Sequence, residues 1–164
     1  METERLIIDE IRETDKEDYF HNISHDKAVL ENFVCPYTET IDDLDFSPYL
    51  TNKDMYAIRL KDTKRLIGII LFFDAKEDSC EIGYGIGTEY WNKGYVSEAL
   101  NRFIDFLFNE KDFKVLYASY FPQNIASKRV MEKCGMKFDH LSKLDFPYLD
   151  KERDLIYYSI RKGA

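Results

Sequence analysis

The sequence predicts an α/β (α+β) fold: a mixed, mostly antiparallel twisted sheet of about seven strands with helices on both faces. Three observations carry this. Strand-like and helix-like segments follow one another in the order βααβββαβαββ. Between Met55 and Ile86, three strand patterns are separated only by short polar turns, which marks an antiparallel meander. From Cys80 to Phe121 a strand, a long amphipathic helix and a second strand follow in turn, which implies a parallel pair joined by a right-handed crossover.

The elements can be justified in order. Arg5 to Arg12 alternates as a strand, and Thr14-Asp15-Lys16-Glu17 fits a capping box that opens a helix. A second helix is expected over roughly Asp26 to Val34, ended by Pro36, because proline restricts the residue before it and lacks a helix donor. Residues 37 to 53 have no clear period and read as loop or short irregular helix. Strands are then expected at Met55 to Leu60, Leu66 to Phe73 and Cys80 to Ile86, with turns at Lys61 to Lys64 and Lys76 to Ser79. After Gly94, Val96, Leu100, Phe103 and Leu107 recur at helical spacing. Lys114 to Phe121 reads as a strand, Asn124 as the cap of a helix that Gly135 terminates, and Met136 to Leu144 and Arg153 to Ile160 as closing strands.

A chain of 164 residues that is 45% apolar, 33% charged and 15% aromatic fits one packed domain over residues 1–164 and excludes disorder and low-complexity fibres. Its formal charge, 23 basic minus 31 acidic residues, is −8, which argues against a nucleic-acid partner held through phosphates. The longest apolar run, Leu66 to Phe73, is eight residues and contains Gly68, so no membrane span is expected. The charged Met1 to Arg5 lacks a secretory-signal pattern, and a cytoplasmic protein is expected. The three cysteines, Cys35, Cys80 and Cys134, are widely spaced and read as free thiols, with no metal site. Residues 1 to 54 hold 15 acids and 5 bases (−10), and the rest hold 16 acids and 18 bases (+2). That asymmetry reads either as solvated helix surface or as a face for a cationic partner.

Gly83-Tyr84-Gly85-Ile86-Gly87 has neither dinucleotide-loop nor P-loop spacing. Alternation puts Cys80, Ile82, Tyr84 and Ile86 on one face of the strand and Glu81, Gly83, Gly85 and Gly87 on the other. A face cleared of side chains beside one carboxylate admits two readings, close approach of a ligand or close packing of a helix. Downstream, Trp91 to Ser97 joins a strand end to the long helix. Successive amides there, backed by the helix dipole and by Lys93, suit a pyrophosphate.

Glu4-Arg5-Leu6-Ile7-Ile8, Glu81 to Leu100 and Asn124 to Phe138, with the closing Tyr158-Ser159-Ile160, cover most of the chain. In them the sequence resembles the GNAT superfamily of acetyl-CoA-dependent N-acetyltransferases, in particular the branch that includes ribosomal-protein alanine acetyltransferases. The family's coenzyme motif falls on Trp91 to Val96; Gly94 matches it, and Val96 replaces the expected small residue.

The resemblance implies acetyl-CoA as co-substrate. Asn92, Lys93, Gly94, Tyr95, Val96 and Ser97 would bind it, with Lys93 to Ser97 on the pyrophosphate, and the Ile86-Gly87 backbone would pair with pantetheine. Asn124 and Ser127 would contact the coenzyme arm; their structural alternatives are helix cap and first-turn packing. Residues 1–54 become an acceptor-side wall and 80–138 a coenzyme-binding core. The slot for a tyrosine that protonates the leaving thiolate holds Met131, so Ser127, a water or no acid at all serves instead. Glu81, thirteen residues before Gly94, takes the position of a general base, or else only orients an ammonium substrate. Glu98 complements the helix dipole. His21, His25 and His140 have no spacing that suggests a metal or a triad, and surface or capping roles are expected for them. The function expected is N-acetyl transfer to a primary amine, a protein N-terminus or a small molecule and cationic on the second reading of the charge asymmetry, by direct attack in a monomer or homodimer. The alternative is a non-catalytic acyl-CoA-binding module on the same fold.

Overall fold

A computed structural model describes residues 1–145 and 152–164. The strands are β1 (Leu6–Glu10), β2 (Met55–Leu60), β3 (Leu66–Phe73), β4 (Ser79–Ile86), β5 (Val115–Tyr120), β6 (Lys137–Asp145) and β7 (Glu152–Arg161). They form one seven-stranded sheet in the order β1-β2-β3-β4-β5-β7-β6. β4 and β5 are parallel, with Glu81 opposite Tyr117, while β1 with β2, β2 with β3, β5 with β7 and β6 with β7 are antiparallel. The helices are α1 (Lys16–Tyr19), α2 (Lys27–Leu30), α3 (Ser47–Thr51), α4 (Tyr95–Asn109) and α5 (Ile125–Lys133). The chain folds as two compact units, the first Met1–Leu71 with Tyr84–Arg102, the second Phe72–Gly83 with Phe103–Ala164.

In the first unit, Leu6 and Ile8 of β1 are fully buried while Ile7 between them is half-buried, the period of a strand with one inward face. Ile11, Tyr19, Phe20, Ile23, Val29, Leu44, Phe46, Ala57, Leu66 and Ile69 make its core. The expected capping box lies two residues earlier than Thr14 and Glu17. The Arg12 amide donates to Asp15 Oδ2 at 2.8 Å and the Asp15 amide to Arg12 O at 2.9 Å, opening a 3-10 turn over Glu13–Asp15 before α1. A π-helical turn at Phe20–Ser24 follows. α2 is shorter than expected: Asp26 caps it by accepting from the Ala28 and Val29 amides, but it ends at Leu30, before Pro36 can act.

The second unit packs Phe72 against Phe103 and Phe113, with ring centroids at 6.4 and 5.6 Å. Phe103, Ile104 and Leu107 are buried on α4, and each such side chain contributes about 1.5–3 kcal/mol. α5 ends as expected. Gly135 is left-handed (φ +84°), its amide donates to Glu132 O and the Met136 amide to Met131 O, which completes a Schellman motif. Met131 is fully buried, so the slot in which the family would carry a tyrosine serves the core.

Candidate active site

In the first unit, the turn before α4 depends on two left-handed residues, Asn92 (φ +60°) and Gly94 (φ +81°), types that tolerate that conformation. The Glu98 amide bonds to Gly94 O at 3.1 Å, so the amides of Tyr95, Val96 and Ser97 stand ahead of the helical ladder. Arg5 fixes the turn from β1's side. Its Nη1 donates to Lys93 O at 2.9 Å, its Nε to Glu98 Oε2 at 2.8 Å, and its guanidinium lies 4.4 Å from the Tyr95 ring centre. A Cβ on Gly94 would stand 3.3 Å from Arg5 Nη2. Burial would raise the Glu98 carboxyl, but hydrogen bonds from Thr3, the Arg5 amide and the Arg5 guanidinium outweigh it and hold it below its ordinary value. The helix-dipole role expected of Glu98 is thus joined by an ion pair that anchors the turn. The donor set here, backbone amides plus the exposed Lys93 ammonium, fits a pyrophosphate.

Ile86 and Gly87 are buried, and part of their backbone is already engaged. The Gly87 amide donates to Ile67 O at 2.9 Å, Tyr90 N–H donates to Gly87 O at 2.9 Å, and Trp91 Nε1 donates to Ile86 O at 2.9 Å. The glycine-cleared face of β4 is explained at two positions by protein and not by a ligand. A Cβ on Gly85 would meet the Phe33 ring at 3.0 Å, and one on Gly87 would meet Asn22 Oδ1 at 2.8 Å. Asn22 sits on the π-helical turn and is held there by its Nδ2 bond to Leu66 O at 2.8 Å.

In the second unit, Glu81 is half-buried on β4. Its Oε1 accepts from Ser119 Oγ at 3.2 Å and its Oε2 from Tyr157 OH at 3.4 Å. Both distances exceed the usual hydroxyl–carboxylate range, so the carboxylate is held loosely. Burial pushes the Glu81 carboxyl above its ordinary value and the charge of Asp74 adds to this, while Ser119, Tyr157 and His140 pull it back. A carboxylate so placed takes up a proton more readily than an exposed one. Asn124 caps α5, its Oδ1 accepting from the Ser127 amide at 3.1 Å; Ser127 is half-buried in the first turn. Cys80 and Cys134 are buried free thiols; Cys35 is half-buried, and burial raises its thiol to about 11, out of the reactive range. His25 is the C-cap of the π-helical turn, in line with the capping role expected, and its ring also stacks between Phe20 and Tyr37. Sequence reasoning missed Arg5, Ser119 and Tyr157 as site residues. Only Arg5 left a trace, inside the stretch Glu4 to Ile8.

The acids of residues 1–54 are partly neutralised within their own unit. Asp9 and Asp15 bind Arg59, and Asp18 binds Arg65. The −10 of that stretch therefore overstates the charge offered to a partner.

A family model described as an acetyltransferase (GNAT) domain matches residues 5–137. The chain is 36% identical over 110 residues to the uncharacterized N-acetyltransferase YnaD of Bacillus subtilis, covering 66% of this chain and 65%, just under two thirds, of that relative. The crystal structure of a GNAT-family acetyltransferase from Bacillus anthracis superposes with a TM-score of 0.88 at 28% identity, over 100% of this chain and 99% of the other. Two solved structures below a quarter identity share the fold. They are the ribosomal-protein-S5-alanine acetyltransferase of Vibrio fischeri (TM-score 0.78, 18% identity, 99% and 96% covered) and the spermidine N-acetyltransferase of Vibrio cholerae in complex with CoA and spermine (0.81, 19%, 98% and 98%). A matched domain of this extent, on a sheet of the same topology class and with a left-handed turn ahead of the long helix, has one reading: the chain belongs to the GNAT acetyltransferase family.

Proposed function

We propose that this protein is an N-acetyltransferase that moves an acetyl group from acetyl-CoA to a primary amine by direct attack. The observation that carries the reading is Glu81, a half-buried carboxylate whose bonding partners are the hydroxyls of Ser119 and Tyr157. Such a group takes the proton of an ammonium nucleophile, directly or through one water. The coenzyme's thioester supplies the activated acetyl. Lys93 to Ser97 hold its pyrophosphate, with Asn92 binding the coenzyme beside them, and the outward edge of Ile86 and Gly87 takes the pantetheine, sharing the Ile86 carbonyl with Trp91. Residues 80–138 are the coenzyme-binding core and 1–54 the acceptor side; Asn124 and Ser127 meet the coenzyme arm. Ser127 is the candidate acid for the leaving thiolate, since Met131 is not one. The protein works as a monomer or homodimer in the cytoplasm.

The acceptor is a protein N-terminus or a small amine; solved relatives of this fold are named for each, alanine on a ribosomal protein in one and spermidine in another. A cationic acceptor suits the acidic first stretch, reduced by the internal ion pairs described above. The deciding experiment incubates the protein with acetyl-CoA and a panel of amines (spermidine, peptides with free N-terminal alanine or serine, amino acids) and follows release of the CoA thiol. Turnover with at least one amine is expected. Binding of acetyl-CoA by calorimetry with no turnover on any of them would favour the acyl-CoA-binding module instead.

A further inference from the structure

Glu81 is the end of a row that crosses four strands of the second unit. Glu81 on β4 lies opposite Tyr117 on β5, so Ser119, two residues on, shares its face. Ser119 lies opposite Tyr157 on β7, and Tyr157 opposite His140 on β6. The last step depends on an irregularity. Phe138 pairs with Tyr158, so regular alternation would set Asp139 against Tyr157; instead the register shifts between Phe138 and His140, and His140 takes that place. One inserted residue thereby turns the imidazole onto the face that carries Glu81.

The consequences are visible in the contacts. The His140 ring stacks on the Tyr157 ring at 4.6 Å with an interplanar angle of 4°. The bulged residue itself holds the imidazole: Asp139, an acceptor when ionised, takes His140 Nδ1–H on Oδ2 at 2.6 Å and Ser159 Oγ–H on Oδ1 at 2.9 Å. Burial and the Glu81 charge raise the Tyr157 phenol, which keeps it protonated and therefore a donor. The groups that face Glu81 are Ser119 from β5, Tyr157 from β7, His140 from β6 and Asp74 from the turn after β3.

We propose that Tyr157 is a positioning residue for Glu81, and that the bulge at Asp139 serves to back Tyr157 with the His140 ring. The proposal rests on Glu81 acting as the base. Tyr157 meets Oε2 of Glu81 while Ser119 meets Oε1, each oxygen keeps lone pairs on which to receive a proton, and the stack keeps the phenol from rotating away.

The test is the titration of Glu81 itself, followed by NMR of protein labelled at the glutamate side-chain carboxyl, with Glu81→Gln identifying the resonance. Tyr157→Phe keeps the ring and its stack and removes only the hydroxyl. The Glu81 midpoint should move to higher pH, because a donor to the charged form is lost, and the acid limb of kcat/KM should move with it. For the amine turned over fastest in the panel, kcat at neutral pH should fall about tenfold, with KM for acetyl-CoA and the melting temperature unchanged. His140→Ala should shift the midpoint in the same direction. A folded Tyr157→Phe protein whose Glu81 midpoint stays in place overturns the proposal. A shifted midpoint together with wild-type kcat in Glu81→Gln leaves Tyr157 holding Glu81 and removes the base assignment, so the two failures are distinguishable.

Discussion

Asp15 and Glu81 are both carboxylates withdrawn from water, and their surroundings differ in kind. Asp15, 4% exposed, takes both oxygens to the Arg59 guanidinium at 2.5 and 2.6 Å, and Arg59, 2% exposed, also binds Asp9 at 2.6 Å and Glu10 O at 3.0 Å. Charge there is matched by charge, with a planar fork meeting a planar acceptor. Glu81 has as hydrogen-bond partners two neutral hydroxyls at longer range, with Asp74 and His140 acting on it through charge alone. The first arrangement is a closed ion pair; the second is a carboxylate that burial has raised above its ordinary value. The difference between a structural carboxylate and a chemical one therefore lies in the partner's charge and reach more than in burial.

The comparison is tested most severely at Glu81. Glu81→Gln keeps the shape and removes the base, so kcat should fall by roughly 10² to 10⁴ at neutral pH while the fold, read by thermal denaturation, is retained. Wild-type turnover in this variant would put Glu81 in the same class as Asp15. Next in size is Arg59→Met, which strips the buried acids of their counter-charge. A loss of about 3–5 kcal/mol in chemical denaturation is expected, and a loss under about 1 kcal/mol would show the cluster to be better hydrated than its burial implies. The smallest effect is the slope of stability with pH. Because the Glu81 carboxyl is raised in the folded protein, its contribution is complete below the ordinary glutamate value and is lost as pH rises through the raised one. Glu81→Gln should flatten that fall, and a slope identical in both proteins would argue that Glu81 ionises as freely folded as unfolded.

What the residues disclosed in advance follows from how local the determining physics is. β2 and β3 run over Met55–Leu60 and Leu66–Phe73 as expected, because polar turns bound them and their side chains suffice to define them. The Gly135 terminus of α5 is equally local. The segment from Lys16 to Leu30 is not: a four-residue helix, a π-helical turn and another four-residue helix are set by packing onto Gly87 and Leu66, contacts that no periodicity announces. The site divides the same way. Glu81 and the turn at Gly94 stand out by spacing, whereas Ser119, Tyr157 and His140 reach Glu81 only through two strand registers and a one-residue shift. Counting residues by twos puts His140 on the wrong face.

The indole of Trp91 has a practical consequence. It is the single tryptophan among 164 residues, it is 42% exposed, and its N–H is bonded to Ile86 O beside the turn that holds Asn92 and Gly94. Its emission therefore reports from one known point, without the averaging over several chromophores that blurs such signals in most chains. Whatever settles against the Ile86 carbonyl must share or displace that bond, and the change in ultraviolet fluorescence would follow occupancy in an unlabelled protein, including variants that have lost all turnover.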